Sequence, residues 1–497
     1  APLRDGPVAR GPRLSTALPE LLIAAGPGEW RAALVEEGAA VELFVERGAP
    51  EAAGSIHLGR VRRRVPALAA VQVEIGGERP VFLPQSEILP RGATLDEGAR
   101  ALVQIRREAQ GGKAALATTA IRLRGRHVEL LVGRPGLFGA EKLPADERDR
   151  LSEALTHPAP QKIPGRAGSP LSRIAGEGGP GPAPAGEAGE GMVGFTLLEP
   201  APIDALIAEA ARLEERWREI RDRAARSEPP CRLDPPAGFA AALAARLPPP
   251  RVITVDDPAA LPEIRAAFPE AEAVHGPEAS WPIDLDSEFE RALAPHVALG
   301  VGALHIETTR AAVLIDVDSG TPETGSRERT ARAVNLAAAR AIARHLRLRN
   351  IGGGIIVDFV GLEGEGGRGR VRRALAGALA ADPAGPQILG WTRLGHLELV
   401  RPRRARPLAE ILLEPRAGGA WIKTPLTVAC EALRALAREE RARPGRHWRL
   451  AVAGEVATAL SGEAAGALAA LERRLARPIA VAAAPGQARE HFEILPV

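Results

Sequence analysis

Two short apolar runs in the second half of the chain carry acidic residues where a buried strand ordinarily carries none. They span residues 311–320, with Asp316 and Asp318, and residues 354–361, with Asp358. Both runs are rich in β-branched residues and end at glycine, which predicts strands. Because alternate residues of a strand share a face, we expect Asp316 and Asp318 on one face, about 7 Å apart.

The segment between these runs is predicted to be a helix. Residues 327–349 carry arginines on most faces and, at helical spacing, the apolar residues Val334, Ala338, Ile342 and Leu346. The order strand, helix, strand predicts a parallel pair of strands joined by a crossover. We therefore expect Asp316 and Asp358 at the same edge of one sheet.

The acids at these two strand ends predict a bound cation, since an unpaired carboxylate in an apolar environment is costly. Oxygen ligands with no histidine or cysteine nearby favour Mg²⁺, with Mn²⁺ as the alternative, over zinc. One isolated aspartate would instead be interpreted as capping a turn or pairing with an arginine. The three together favour a metal site.

Five motifs in this region, and the order in which they occur, closely resemble those of the catalytic region of the ribonuclease E/G family. They are Leu-His-Ile-Glu-Thr-Thr at 304–309, Ile-Asp-Val-Asp-Ser at 315–319, Asn-Leu at 335–336, Arg-Leu-Arg-Asn-Ile-Gly-Gly at 347–353 and Ile-Val-Asp-Phe at 356–359. The resemblance implies a hydrolase, an endoribonuclease that cuts single-stranded RNA in RNA processing or decay. In such an enzyme a Mg²⁺-activated water attacks the phosphodiester.

The resemblance also assigns roles to the three acids. It implies that Asp316 and Asp358 hold the ion. Asp318 stands where the family usually has an asparagine that is thought to orient the attacking water. Aspartate keeps the acceptor of that asparagine, adds a charge and lacks the donor. All three are therefore predicted catalytic residues.

The fold implied by the resemblance is α/β and multidomain, and it covers the chain from about residue 19. An RNase H-like subdomain (1–50, which includes an N-terminal arm, and 216–285) is interrupted by an S1 (OB-type) β-barrel (51–126) and a degenerate 5′-sensor region (127–215). A DNase I-like α/β catalytic subdomain (286–402), a linker without a zinc motif (403–418) and a small C-terminal α/β domain (419–497) follow.

Short strands that alternate with turns at 54–61, 69–76 and 81–84 predict a small barrel from the residues alone. The S1 resemblance implies that Phe82 stacks on RNA bases and that Lys113 contacts phosphate. Without the resemblance, Phe82 would be interpreted as a barrel core residue. Gln72 stands where the family has another stacking phenylalanine. His57 is predicted to lie at the surface.

Residues 158–191 are rich in proline, glycine and alanine, a composition that predicts disorder. Directly after the segment that matches residues 158–191, the family has an Arg-Thr pair that binds a 5′-monophosphate. Phe195 and Thr196 match that pair. Phenylalanine offers neither the charge nor the fork of donors that arginine presents to phosphate. The sequence therefore predicts cleavage without 5′-monophosphate sensing.

The arginine-rich segment 391–404 resembles the strand that precedes a zinc link in the family. Arg393, Arg401 and Arg403 are predicted to contact the RNA backbone, with a solvated basic loop as the alternative. Where the family has Cys-Pro-x-Cys, residues 404–410 contain no cysteine. No zinc is therefore expected, and any homo-oligomer would not be zinc-linked.

Two further segments allow local predictions. An amphipathic helix is predicted at 203–226, with one apolar face formed by Leu206, Ala210, Leu213 and Trp217. Asp256 and Asp257 follow a predicted strand at 252–255. They are predicted to start a turn or cap a helix rather than to form a second metal site.

Composition limits the compartment and the partners. The chain has 497 residues, 45% of them hydrophobic, which is typical of a globular protein with several domains. Its net charge of +3 is compatible with nucleic-acid binding. Two distant cysteines, with no membrane-spanning run and no signal-peptide core, predict a cytoplasmic protein. No C-terminal scaffold arm is expected.

Two functions fit these observations. The acid pair favours an active endoribonuclease. The alternative is a diverged RNA-binding paralogue with little or no cleavage, favoured by Phe195, Gln72, Asp318 and the missing zinc link. A nucleotide-binding enzyme is disfavoured because the glycine-rich segment 361–369 lacks the Gly-Lys-Ser/Thr of a phosphate loop.

Overall fold

The computed structural model describes residues 19–47, 52–77, 79–109, 114–156, 193–198, 201–235, 238–244, 246–309, 311–320, 327–361, 364–416, 419 and 421–497. The chain divides into two compact units, residues 1–47 with 249–497 and residues 48–248. Lys113 and the predicted disordered segment 158–191 lie outside the described residues. Within those ranges, no helix combines the length and the apolar character needed to cross a membrane.

The first half of the chain consists mostly of short strands and contains few helices. The strands are β1 (Glu20–Ala25), β2 (Glu29–Glu36), β3 (Ala39–Arg47), β4 (Ile56–Val65), β5 (Ala70–Glu74), β6 (Val81–Pro84), β7 (Arg100–Arg107), β8 (Leu116–Thr118), β9 (Arg122–Arg124), β10 (Val128–Val132), β11 (Gly136–Phe138), β12 (Val193–Leu197) and β13 (Cys231–Asp234). The helices are α1 (Ala145–Thr156), α2 (Ile203–Arg226) and α3 (Phe239–Ala244).

The second half is richer in helix. Its strands are β14 (Val252–Val255), β15 (Glu272–His275), β16 (His296–Ala298), β17 (Ala303–Thr308), β18 (Val313–Asp318), β19 (Gly353–Asp358), β20 (Gln387–Trp391), β21 (Leu397–Arg401), β22 (Leu413–Pro415), β23 (Trp421–Lys423), β24 (Trp448–Val452), β25 (Ala480–Ala483) and β26 (Phe492–Pro496). Its helices are α4 (Leu261–Ala267), α5 (Leu285–Leu293), α6 (Arg327–Leu348), α7 (Gly364–Leu379), α8 (Leu408–Leu412), α9 (Pro425–Ala442), α10 (Gly454–Ser461) and α11 (Ala465–Leu475).

Strands β4 to β8 form a closed barrel. They follow the order β4-β5-β6-β8-β7, and β7 pairs back with β4. The interior is filled by aliphatic side chains, among them Val61, Val71, Val73, Val81, Leu83 and Val103. A closed five-stranded barrel is consistent with the predicted S1 domain. The three predicted strands are confirmed.

The other part of this unit is a small sheet covered by helix α2. Its strand order is β11-β12-β10-β9. The predicted helix 203–226 is confirmed with the same bounds, and its buried face contains Leu206, Ala210, Leu213, Trp217 and Ile220. Burial of that stripe against β10 and its neighbours explains why so charged a helix is stable.

The N-terminal sheet is completed by strands that come much later in the sequence. Its order is β15-β14-β1-β2-β3, and β1 pairs in parallel with β14. Asp257 accepts a hydrogen bond from the amide of Ala259 at 3.0 Å and caps a short turn, as predicted. Asp256 is buried and accepts from the amide of Ala25 at 2.7 Å. Both acids are therefore structural.

A buried charge cluster connects β2 and β3 to helix α9. Glu29 is fully buried and accepts hydrogen bonds from Arg31 at 2.7 Å, from Arg47 at 2.6 Å and from Arg434 at 2.9 Å. Burial alone would raise the pKa of Glu29, but the three arginines hold that pKa well below its usual range. The cluster therefore stays charged at any physiological pH.

The sheet with the acid-bearing strands has the order β16-β17-β18-β19-β21-β20. Strands β18 and β19 pair in parallel and are connected by α6, which confirms the predicted crossover. Helices α6 and α7 pack on one face, where Val334, Ala338, Ile342 and Leu346 are fully buried. The opposite face carries the acids.

The motif at the end of α6 has a structural role. Arg347 forms ion pairs with Glu36 and Glu42, each at 3.3 Å, which attach the helix to the N-terminal sheet. Asn350 adopts a left-handed conformation, with a φ of 52°, and donates a hydrogen bond to the carbonyl of Arg406 at 3.0 Å. The chain can then turn directly into β19.

The last residues form a small α/β layer around the buried face of α9. Strands β24, β25 and β26 form one sheet, in which β24 is central, and β22 pairs with β23. A mixed α/β, multidomain fold with a barrel is thus confirmed. The finer assignment to RNase H-like and DNase I-like subdomains, and the predicted domain boundaries, stay predictions.

Candidate active site on the open face of the β16–β21 sheet

The open face of this sheet results from the alternation of its strands. In β18, Val313, Ile315 and Val317 are buried against the helices, while Leu314, Asp316 and Asp318 are exposed. In β19, Ile355 and Val357 are buried and Asp358 is exposed. The sequence places apolar residues toward the helices and acids on the other side, where solvent and a substrate have access.

Asp316 and Asp358 are direct neighbours across the parallel pair, in register with each other. Neighbouring strands lie about 4.8 Å apart, so the two carboxylates leave the sheet side by side. This arrangement confirms the prediction that both acids reach the same place. It arises because α6 returns the chain to the adjacent strand in the same direction.

Asp318 lies on the same face, two residues beyond Asp316. Its Oδ1 accepts a hydrogen bond from the amide of Gly320 at 2.9 Å. The side chain is therefore engaged in the turn that follows β18. This contact fits the simpler interpretation of a turn-capping aspartate, and it leaves the second carboxylate oxygen available.

Histidines extend the acid pair into a row across the sheet. His305 is opposite Asp316, and His296 is opposite His305, with ring centroids 4.9 Å apart. On the other side, His396 Nε2 lies 3.6 Å from Asp358 Oδ2. The premise that no histidine lies near the acids is therefore wrong, because strand pairing brings together residues distant in sequence. The outward position of His305 in β17 was the available signal.

A buried asparagine holds the chain just beyond Asp358. The side chain of Asn335, on α6, donates to the carbonyl of Val360 at 2.7 Å and accepts from its amide at 3.1 Å. Asn335 has no exposed surface. It fixes the end of β19 relative to the helix, and so it positions Asp358. Its location in a recognised motif was the only signal for it in the sequence.

The residues present fit a hydrated divalent cation of the Mg²⁺ type. Among the described residues, no group of three or more His, Cys, Asp or Glu side chains is arranged to hold a metal ion. Mg²⁺, however, keeps several waters and is commonly held by one or two carboxylates together with substrate phosphate. Asp316 and Asp358 supply such a pair, and the nearby imidazoles suit Mn²⁺ as well.

Arg401 does not have the role predicted for it. It is buried, its Nε and Nη2 donate to Asp382 at 2.7 and 3.2 Å, and its Nη1 donates to the carbonyl of Ile351 at 2.8 Å. All three guanidinium nitrogens are therefore engaged inside the protein, and the structure does not support the predicted contact of Arg401 with RNA. Arg393 and Arg403 are exposed, as a contact with RNA requires.

The two barrel residues discussed above, Phe82 and His57, also differ in their exposure to solvent. Phe82 is half-buried and points outward between Val81 and Leu83, which are buried. His57, predicted at the surface, is instead buried and hydrogen bonded to Ser55 Oγ at 2.9 Å. The first four residues of β4 are all buried, so neither face of that end of the strand is open to solvent.

Phe195 belongs to the core of its sheet. It is 2% exposed and lies opposite Leu130 in β10. Thr196, the next residue, is half-buried and lies opposite Glu129. An apolar core side chain next to an acid is a poor environment for a phosphate group.

Comparison with known proteins finds relatives in one family. The sequence model of the ribonuclease E/G family matches residues 183–404. The chain is 28% identical to ribonuclease G of Escherichia coli (strain K12) over 521 aligned residues, covering 96% of this chain and 99% of that protein. It is 27% identical to ribonuclease G of Haemophilus influenzae, covering 84% and 87% of the two chains. It is 29% identical to ribonuclease E of Synechocystis sp., covering 75% and 55%. The predicted resemblance is confirmed.

Proposed function

We propose that this chain, a relative of ribonucleases G and E, is a divalent-metal-dependent endoribonuclease that cuts single-stranded RNA. The observation that carries the proposal is the direct register of Asp316 and Asp358, both exposed on the open face of one sheet. That pair lies within the residues that match the family. Such an enzyme would act in RNA processing or decay.

The chemistry divides between the ion and the side chains. When bound, a divalent cation would lower the pKa of a water and offset charge on the phosphodiester. Asp316 and Asp358 would hold it, and His396 Nε2 lies beside that pair, 3.6 Å from Asp358 Oδ2. Asn335 keeps the end of β19 in place. Asp318 supplies an acceptor on the same face.

Contacts with RNA are supported by exposed cations and by the outward phenylalanine. Arg393, in the turn between β20 and β21, and Arg403, just after β21, are exposed on the unit that carries the acids. Such arginines bind the backbone without reading its sequence. Phe82 offers a flat surface on the barrel, and Lys113 remains a proposed phosphate contact.

Independence from the 5′ end is part of the proposal. The buried position of Phe195 supports it, because that side chain offers no donor to a phosphate. We expect equal cleavage of one RNA carrying a 5′-monophosphate or a 5′-hydroxyl. A strong preference for the monophosphate would contradict this part and indicate a sensor elsewhere.

The main test removes one carboxylate at a time. We expect Asp316→Asn and Asp358→Asn each to reduce cleavage of a fluorescent single-stranded RNA by at least about 100-fold, with binding largely kept. Glu307→Gln is the matched control, since Glu307 is exposed two residues from His305 on the same face. Wild-type rates in both aspartate variants would contradict the assignment.

The same assay addresses the alternative function. A chain that binds the RNA tightly and leaves it uncut with both Mg²⁺ and Mn²⁺ would be a diverged RNA-binding paralogue. The exposed, registered acids favour the enzyme, because a binding protein gains nothing from two carboxylates that repel phosphate.

A further inference from the structure

Three side chains form a row on the outer face of the barrel. Arg63 of β4 is in register with Gln72 of β5, and Gln72 is in register with Phe82 of β6. Gln72 and Phe82 alternate with buried valines and leucine, so both point outward. Arg63 is exposed, and its Nε donates to Gln72 Oε1 at 2.8 Å.

Arg63 differs from the arginines beside it. Arg60 lies 3.9 Å from Glu228, Arg62 lies 3.9 Å from Glu74, and Arg64 lies 3.7 Å from Asp96. Within the described part of the chain, Arg63 has no carboxylate partner, and its one hydrogen bond is to a neutral amide. Its charge is therefore not offset by a neighbouring acid.

The hydrogen bond to Gln72 also restricts the orientation of the guanidinium. The contact uses Nε, so the two terminal nitrogens of this exposed side chain stay available to a ligand. Guanidinium planes, like aromatic rings, stack on RNA bases. Gln72 thus acts as a support, not as a surface for stacking.

We propose that Arg63, held by Gln72, and Phe82 are two flat platforms that each stack on one base of a single RNA strand. The proposal rests on the RNA-binding part of the proposed function. Two strand spacings separate the platforms by about 10 Å. That distance exceeds the 3.4 Å repeat of stacked bases, so the strand bound here is extended and its bases are splayed apart.

The test separates a flat surface from a charge. The full chain is mixed with a short single-stranded RNA that carries 2-aminopurine, in EDTA to prevent cutting, and both anisotropy and 2-aminopurine quenching are recorded. Arg63→Lys keeps the charge and removes the flat face. Arg63→Phe keeps a flat face and removes the charge. Arg62→Ala removes a neighbouring charge and is the matched control.

We expect Arg63→Ala and Arg63→Lys to raise the Kd for the RNA by at least about five-fold and to reduce 2-aminopurine quenching. Arg63→Phe should keep the Kd and the quenching of the wild type. Arg62→Ala should change the Kd by less than about two-fold. Gln72→Ala, which frees the guanidinium, gives an intermediate loss. Arg62 and Arg63 are exposed and Gln72 is half-buried, and a thermal melt of each variant verifies the fold.

The results that would contradict the stacking proposal differ from those that would contradict the nuclease proposal. Restoration by lysine and not by phenylalanine, or equal losses for Arg63→Ala and Arg62→Ala, overturns the stacking proposal. Cleavage by wild type combined with binding that does not depend on Arg63 overturns it and leaves the nuclease intact. Binding that depends on Arg63 without any cleavage overturns the nuclease and leaves the platform intact. Absence of RNA binding overturns both.

Discussion

Replacing Arg401 by methionine distinguishes a structural arginine from an RNA contact. Its guanidinium makes two hydrogen bonds to Asp382 and one to the carbonyl of Ile351, and both ion-pair partners have side chains no more than 3% exposed. Methionine fills a similar volume but leaves the Asp382 carboxylate buried without its cation. The variant should therefore lose stability and not a specific contact with RNA.

The expected loss of stability in Arg401→Met follows from the burial of its ion pair with Asp382. Removing one partner of a buried ion pair costs about 3–5 kcal/mol, because the other charge remains uncompensated. In a unit of this size, that loss lowers the Tm by about 10 °C. The double variant Arg401→Met/Asp382→Leu should recover part of it, since no buried charge remains.

The assay combines thermal unfolding with RNA anisotropy measured well below the transition. Arg403→Met is the control, because it removes an equal charge from an exposed site two residues away. We expect a large fall in Tm with unchanged RNA affinity for Arg401→Met, and the reverse for Arg403→Met. An Arg401→Met protein with the wild-type Tm and weakened RNA binding would refute the reasoning.

Three further outcomes are expected. Asp318→Asn should keep cleavage within about three-fold, because asparagine retains the acceptor for the turn amide; complete loss would make Asp318 an obligatory ligand. Asn335→Leu should lower stability by about 1–3 kcal/mol by leaving the backbone of Val360 unpaired, and should slow single-turnover cleavage. Burial and nearby arginines lower the pKa of His345 to about 3, and its Nδ1 accepts from Arg349 at 3.1 Å. The neutral form is the folded one, so stability should fall as the pH drops below about 6.5, and urea titrations of His345→Leu should show a weaker fall.

Local periodicity accounts for what the sequence could predict. The helix 203–226 and the strand at 81–84 have the predicted bounds, because each has an apolar stripe of the right period and clear ends. The pairing of Asp316 with Asp358 followed from the handedness and order of strand, helix and strand. Each of these inferences uses only residues that are close in the sequence or one strand-helix-strand crossover.

What was missed depends on distant partners. Arg401 is buried because Asp382, after α7, lies where its guanidinium can reach it. His57 lies in the first part of β4, where four consecutive residues are buried and where β7 and β13, strands that come later in the chain, pair with it. His396 reaches Asp358 only through the register of β19 with β21. None of these contacts leaves a periodic signal in the sequence.

The interrupted N-terminal sheet has a consequence during synthesis. Strand β2, one neighbour of β1, follows it directly in the sequence, but the other neighbour, β14, emerges only after about 230 further residues. At bacterial or eukaryotic rates of translation this interval lasts about 10–50 s. Throughout it, β1, which contains Leu21, Leu22 and Ile23, has one unpaired edge, and an unpaired edge favours pairing between nascent chains. Crowded polysomes are therefore where we expect this protein to aggregate, and a chaperone that covers the first 47 residues would protect it there.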